Sequence, residues 1–233
     1  MKYMGSKARF AKYILPIILD GREESQWYIE PFAGGMNLVE HVDGKRIAAD
    51  KHFYLIKMFT ALVYNDWIPP LHVREELYKD IRNNKEGYPP ELVGYVGFNS
   101  YGAKWFAGYR RCNTGRDYWR EAYNNITRQV PKLKGIVFQC CDYTELMLPE
   151  KSIIYCDPPY AGTTKYKNQI NYTIFWDWCR KISTSGYKLF VSEYAAPDDF
   201  KCVWSMITKS HVRGDPRQKN CKNSIEKLFT YNG

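Results

Sequence analysis

Five short apolar runs, at residues 27–31, 46–49, 136–140, 153–156 and 188–191, lead into polar or glycine-containing loops. Four or five apolar residues in a row, without polar alternation, mark a strand covered on both faces. Helical periodicity at 7–19, 52–64 and 174–182 supplies the covering layers. Strands alternating with helices predict an α/β fold, a mostly parallel sheet whose strand ends hold a site. Residues 203–208 and 227–231 read as an antiparallel pair at its edge, joined by a polar connection over 211–224, for about seven strands in all.

The rhythm breaks between 65 and 134, where Pro69-Pro70 and Pro89-Pro90 punctuate a helix-like stretch at 73–83. A glycine- and aromatic-rich region, 94–115, follows, and then a second helical pattern at 118–130. The reading is a catalytic core of residues 1–64 and 135–233 with 65–134 inserted outside the sheet. Charge singles out the same region. Of a net +9, the stretch 100–135 holds +6, from Lys104, Arg110, Arg111, Arg116, Arg120, Arg128, Lys132 and Lys134 against Asp117 and Glu121. A basic patch of that density suits a polyanion.

Hydrophobic residues at 45% and charged residues at 25% exclude a disordered chain. No apolar run approaches the roughly 20 residues of a membrane span and no signal peptide is legible, so a soluble, cytoplasmic protein is expected. Seven cysteines without a CxxC pair fit reduced thiols, and His41, His52, His72 and His211 lack ligand spacing, so no metal site is predicted.

Four strand ends carry candidate chemistry. Glu30-Pro31-Phe32-Ala33-Gly34-Gly35 follows the first run and precedes a helical segment expected near Met36-Asn37. It reads either as a tight turn or as a close backbone approach to a ligand, with helix-start amides facing an anionic group. Asp50, sixteen residues past Gly34, ends the second run. There a carboxylate either caps the next helix or accepts from both hydroxyls of a ribose, as for adenosine-containing cofactors. Asp142 closes the third run, as a cap or as a partner for a cofactor's adenine amine.

Asp157-Pro158-Pro159-Tyr160 closes the fourth run. Paired prolines fix φ and remove amide donors, giving a stiff extended loop in which the Pro158 carbonyl stays available. Asp157 and that carbonyl present two acceptors to one amine. An exocyclic base amine offers two hydrogens, and accepting both returns its lone pair from the ring to nitrogen for attack on an electrophilic methyl. Tyr160 can stack on such a base, which must leave the helix to enter.

Three segments, Lys2-Tyr3-Met4-Gly5-Ser6-Lys7, Glu30-Pro31-Phe32-Ala33-Gly34-Gly35 and Asp157-Pro158-Pro159-Tyr160, occur in an order that resembles the Dam-type DNA adenine-N6 methyltransferases, particularly compact phage and prophage forms. The resemblance extends to 162–166 and to Val191-Ser192-Glu193-Tyr194. It implies a Rossmann-like methyltransferase sheet, S-adenosylmethionine as cofactor and double-stranded DNA as substrate, with catalysis at Asp157, Pro158 and Tyr160. It implies Tyr3 and Lys7 at the cofactor, Phe32 and Gly34 around its methionine part, and Asp50 at its ribose. It also resembles the family's recognition region at 98–111, where glycines suit a hairpin. Lys104, Tyr109, Arg110, Arg111 and Arg116 become DNA contacts, the arginines either reading guanine or holding phosphate. The enzyme is expected to act as a monomer or weak dimer. Rival readings are cytosine-N4 methylation, which suits the same loop, glutamine methylation in a protein, and a DNA-binding relative without catalysis.

Overall fold

The computed structural model describes residues 1–111, 115–160, 170–209 and 223–233. Seven strands form one sheet: β1 (Tyr28–Glu30), β2 (Arg46–Ala49), β3 (Ile136–Gln139), β4 (Ile153–Cys156), β5 (Lys188–Glu193), β6 (Phe200–Lys209) and β7 (Asn223–Tyr231). Their order across the sheet is β3-β2-β1-β4-β5-β7-β6. The first five run parallel, and β7 lies antiparallel between β5 and β6. This is the Rossmann-like α/β sheet with an antiparallel edge pair that the sequence predicts. Helices α1 (Ala11–Ile18), α2 (Phe53–Tyr64), α3 (Glu75–Asn83), α4 (Pro90–Phe98), α5 (Tyr118–Gln129) and α6 (Tyr172–Thr184) complete the described elements, together with short 3-10 turns.

Both faces of the sheet are covered. Tyr28, Ala48, Ile153, Tyr155, Phe190 and Leu228 pack into a core with residues of α1, α2, α4 and α5. Ile29, Ile47, Ile154, Cys156, Leu189 and Val191 face the other way, against Phe175, Trp176 and Cys179 of α6. Because side chains alternate with period two, Glu30 follows Tyr28 in register, Asp157 follows Tyr155, Ser192 follows Phe190, and Glu226 precedes Leu228. The pleat that builds the first core therefore also delivers four polar side chains to one face.

The region 65–134 adds no strand to the sheet, yet its helices share the first core: Val93, Tyr95, Val96 and Phe98 of α4 and Trp119 and Ile126 of α5 are buried there. Helix α4 runs through the glycine- and aromatic-rich stretch where the sequence showed only punctuation. Pro90 sits at its first turn, where a missing amide costs nothing. Gly94 is required by packing rather than by backbone conformation: a Cβ there would lie 2.2 Å from the Tyr54 carbonyl oxygen of α2. No strand pairs form at 98–111, so the expected hairpin gives way to a loop closed by the Tyr101 amide on the Gly108 carbonyl at 2.8 Å. The helix expected after the glycine turn is only a 3-10 turn, Val39–His41. The edge strands are longer than predicted, and of the connection between them residues 210–222 lie outside the described residues, as do 162–166.

Candidate active site

Strand order reverses direction between β1 and β4, and in open α/β sheets the crevice at such a switch point is where ligands sit. The glycine turn leaves the carboxyl end of β1 and the Asp157 loop leaves that of β4, so the topology brings these two motifs side by side. Asp157 is salt-bridged to Lys7, Nζ to Oδ1 at 3.0 Å. The same ammonium lies 3.7 Å from Glu226 Oε2 and 4.3 Å from the centre of the Tyr160 ring. Tyr160 donates its hydroxyl to Glu226 Oε2 at 2.9 Å and meets Tyr194 edge-on at 4.6 Å. The Tyr172 hydroxyl, from the start of α6, is shared between the Pro159 carbonyl at 2.7 Å and Glu193 Oε2 at 2.6 Å, which fixes the proline loop from the opposite side. Pro158 is buried.

The electrostatics follow from burial. Desolvation pushes the Asp157 carboxyl up to about 6, Lys7 pulls against it, and the charges of Glu226 and Glu193 add to the rise. Glu30, fully enclosed at the end of β1, is pushed by burial to about 8, with the Tyr28 hydroxyl bond at 2.8 Å opposing and Asp157 adding. Burial and the neighbouring carboxylates likewise raise the Tyr160 phenol, so it stays a proton donor. A single buried cation thus faces several carboxyl groups, and burial of an unpaired carboxylate is avoided by holding Glu30 neutral.

Around the glycine turn, Tyr3 is the reason for small residues: a Cβ on Gly34 or Gly35 would approach its side chain to 2.7 or 2.5 Å. Gly34 also has φ +47 and gives its amide to Asp50 Oδ2 at 3.1 Å. The other oxygen of Asp50 accepts from the His52 amide at 2.8 Å. Asp50 thus ties the glycine turn to the start of α2 without capping that helix, and its pinned carboxylate still has lone pairs to offer; burial raises its pKa. Phe32 packs between Tyr143 at 5.3 Å and Phe175 at 5.9 Å. Asp142 accepts from the Thr144 amide and hydroxyl, again a turn contact.

The predicted basic residues gather elsewhere. A cleft of about 680 Å³ is lined by Lys2, Glu75, Tyr101, Gly102, Tyr109, Arg110, Arg111, Arg116 and Tyr118. Arg110 is half-buried, with Nε on the Ser100 carbonyl at 2.8 Å. Arg111 grips Glu75 through two bonds of 2.9 and 2.8 Å, and Arg116 grips Glu121 in the same fashion. With Lys79, Arg111 holds the Glu75 carboxyl down at about 2. Tyr109 faces inward, its hydroxyl on the Val73 carbonyl at 2.7 Å and its ring against Tyr78, as a wall of the helical layer. Lys104 is exposed and does not line the cleft.

Sequence reading gave no site role to Glu226, Tyr172 and Glu75, nor individually to Lys2 and Glu121. Glu226 left one legible signal, its place two residues before buried Leu228 and so on the same face of β7. Among the described residues no three His, Cys, Asp or Glu side chains form a metal-holding set, and no helix is long and apolar enough to cross a membrane.

Comparison with known proteins bears on the whole arrangement. Residues 3–95 and 97–186 match the model of the D12 class N6 adenine-specific DNA methyltransferases. The chain is similar to the DNA adenine methylase of Vibrio cholerae serotype O1, 24% identical over 193 residues covering 74% of this chain and 68% of that protein, with the same values in a second strain. It is also similar to the Type II methyltransferase M.FokI of Planomicrobium okeanokoites, 23% identical over 212 residues, 77% of this chain and 31% of that protein.

Proposed function

Because the chain belongs to the D12 class N6 adenine-specific DNA methyltransferases, we propose that the Asp157 loop is where the adenine amine is held for methylation. The observation that carries this reading is the position of the Asp157 carboxylate, at the switch point beside the glycine turn. Lys7 takes one of its oxygens. Among the described residues no side chain takes the other, which leaves an acceptor for one N6 hydrogen, while the Pro158 carbonyl receives the second. With both hydrogens engaged, the nitrogen lone pair turns from the ring toward the methyl donor. Methylation at N6 would then release one of the two held hydrogens as a proton to solvent. Tyr160 stacks on the base once it has left the duplex.

The chemistry of the surrounding residues fits S-adenosylmethionine. The Asp50 carboxylate, pinned by two amides, offers its remaining lone pairs to a ribose diol, and Phe32, packed on Tyr143 and Phe175, offers an apolar surface to the methionine part. When bound, S-adenosylmethionine supplies the methyl group as a sulfonium electrophile. Tyr3, Lys7 and Gly34 border its amino-acid part, and Asp142 its adenine. Double-stranded DNA lies along the cleft of Arg110, Arg111 and Arg116, with Lys104 at its margin and Tyr109 as a supporting wall, and the enzyme acts as a monomer or weak dimer.

Asp157→Ala is expected to abolish methyl transfer while calorimetry still detects S-adenosylmethionine binding; retained turnover overturns the assignment. Nucleoside analysis of DNA methylated by the purified enzyme checks the base, with N6-methyladenine expected and N4-methylcytosine as the contrary result.

A further inference from the structure

Glu226 has no part in the amine-binding scheme, yet it is buried at the centre of the site and reaches it from β7, an antiparallel strand that the parallel core does not require. One oxygen, Oε2, both accepts the Tyr160 hydroxyl and faces Lys7. These contacts bear on two separate needs. A stacking ring must be fixed in orientation before the base arrives. An acceptor carboxylate must also not be wholly neutralised by its own cation, or the ammonium competes with the amine it is meant to receive.

We propose that Glu226 is a positioning residue for methyl transfer, holding the Tyr160 ring by its hydroxyl and sharing the Lys7 charge so that Asp157 keeps an acceptor for the adenine amine. The inference rests on the reading of Asp157 given above. Among the described residues, the titratable groups interacting with Asp157 are Lys7 from the amino-terminal segment, Glu30 from β1, Tyr155, Cys156 and Tyr160 from β4 and its loop, Glu193 from β5 and Glu226 from β7. Of these, only Glu226 contacts both the cation and the stacking ring through the same atom.

Two substitutions separate the roles. Glu226→Gln keeps an acceptor for the Tyr160 hydroxyl but removes the charge, so Lys7 settles wholly on Asp157. We expect kcat to fall by about tenfold while KM for DNA stays within about twofold. The acid limb of the rate profile should move to lower pH by roughly half a unit or more, because one like charge no longer opposes Asp157 ionisation. Glu226→Ala loses both contacts and should raise KM for DNA as well.

A double-mutant cycle with Tyr160→Phe covers any loss of folding in the alanine variant. If Glu226 acts through the Tyr160 hydroxyl, the second substitution adds little to KM once the first is made. An unmoved acid limb in folded Glu226→Gln overturns the charge-sharing role, and independent KM effects in the cycle overturn the orienting one. Asp157→Ala keeps the two readings apart. If it retains turnover, the amine-binding site itself is wrong; if it is inactive while Glu226→Ala equals wild type, only the present inference falls.

Discussion

Two carboxyl groups at the ends of neighbouring strands are set on opposite sides of neutral pH, and each gives a measurable consequence. Asp157 must be ionised to accept a hydrogen from the amine, and burial places its pKa at about 6. Methyl transfer should therefore rise with pH through about 6, which kcat/KM measured from pH 5 to 8 will show. Glu30 is held neutral up to about 8, against an ordinary value of 4.5. Between those values the folded protein keeps a proton that the unfolded chain has released, so the native state binds more protons and stability falls as pH rises across the window. Glu30→Gln, which mimics the neutral acid, should flatten that fall by roughly a few kcal/mol, read from urea midpoints at pH 4.5 and 8. At this scale the sequence exposed the residues whose chemistry is local, Asp157, Pro158 and Tyr160, because a proline loop after a strand announces itself. It hid Glu226 and the carboxylate partners of Arg111 and Arg116, because those meetings depend on chain segments far apart in order.

Helix α4 is the element most at odds with its sequence. Two glycines and several β-branched or aromatic residues argue against helix by propensity, yet the segment is helical because those glycines are where other groups come closest. Gly94 meets the α2 backbone, and a Cβ on Gly97 would lie 2.3 Å from the Trp105 ring, so the helix acts as a cradle for the loop that follows. Propensity alone would make Gly94→Ala stabilising by about 1 kcal/mol. The 2.2 Å approach to a carbonyl oxygen, with the Met58 side chain 2.9 Å away, reverses the sign. A net loss of roughly 1–3 kcal/mol is expected from overpacking, visible as a lower denaturant midpoint with an unchanged slope. The five parallel strands, by contrast, were legible to within two residues at either end, since a strand covered on both faces needs an unbroken apolar run, whereas β6 and β7 begin three and four residues earlier than read. The helix expected after the glycine turn is absent for the converse reason. The turn's glycines accommodate Tyr3 from the amino-terminal segment, and only the short 3-10 turn Val39–His41 follows.

Among the described residues of the molecule, carboxyl groups gather around Asp157 and cations line the helical cleft. If the cleft holds the DNA backbone, Arg111 and Arg116 must exchange their glutamate partners for phosphates. Replacing both with alanine should then reduce the slope of log affinity against log salt by about 2, measured by fluorescence anisotropy over a series of salt concentrations. The amino-terminal segment ties these surfaces together: Lys2 pairs with Glu121, the Met4 amide bonds the Ala103 carbonyl, Tyr3 covers the glycine turn and Lys7 reaches Asp157. Its partner across the site, Glu226, belongs to a strand made long after it. Contacts of such wide sequence separation form late, since loop closure must precede them. During synthesis Lys7 emerges early and waits, and the site is whole only when β7 has slotted between β5 and β6. Methylation should accordingly appear as the last event of folding, which makes the enzyme's own activity a clock for the arrival of its final strand.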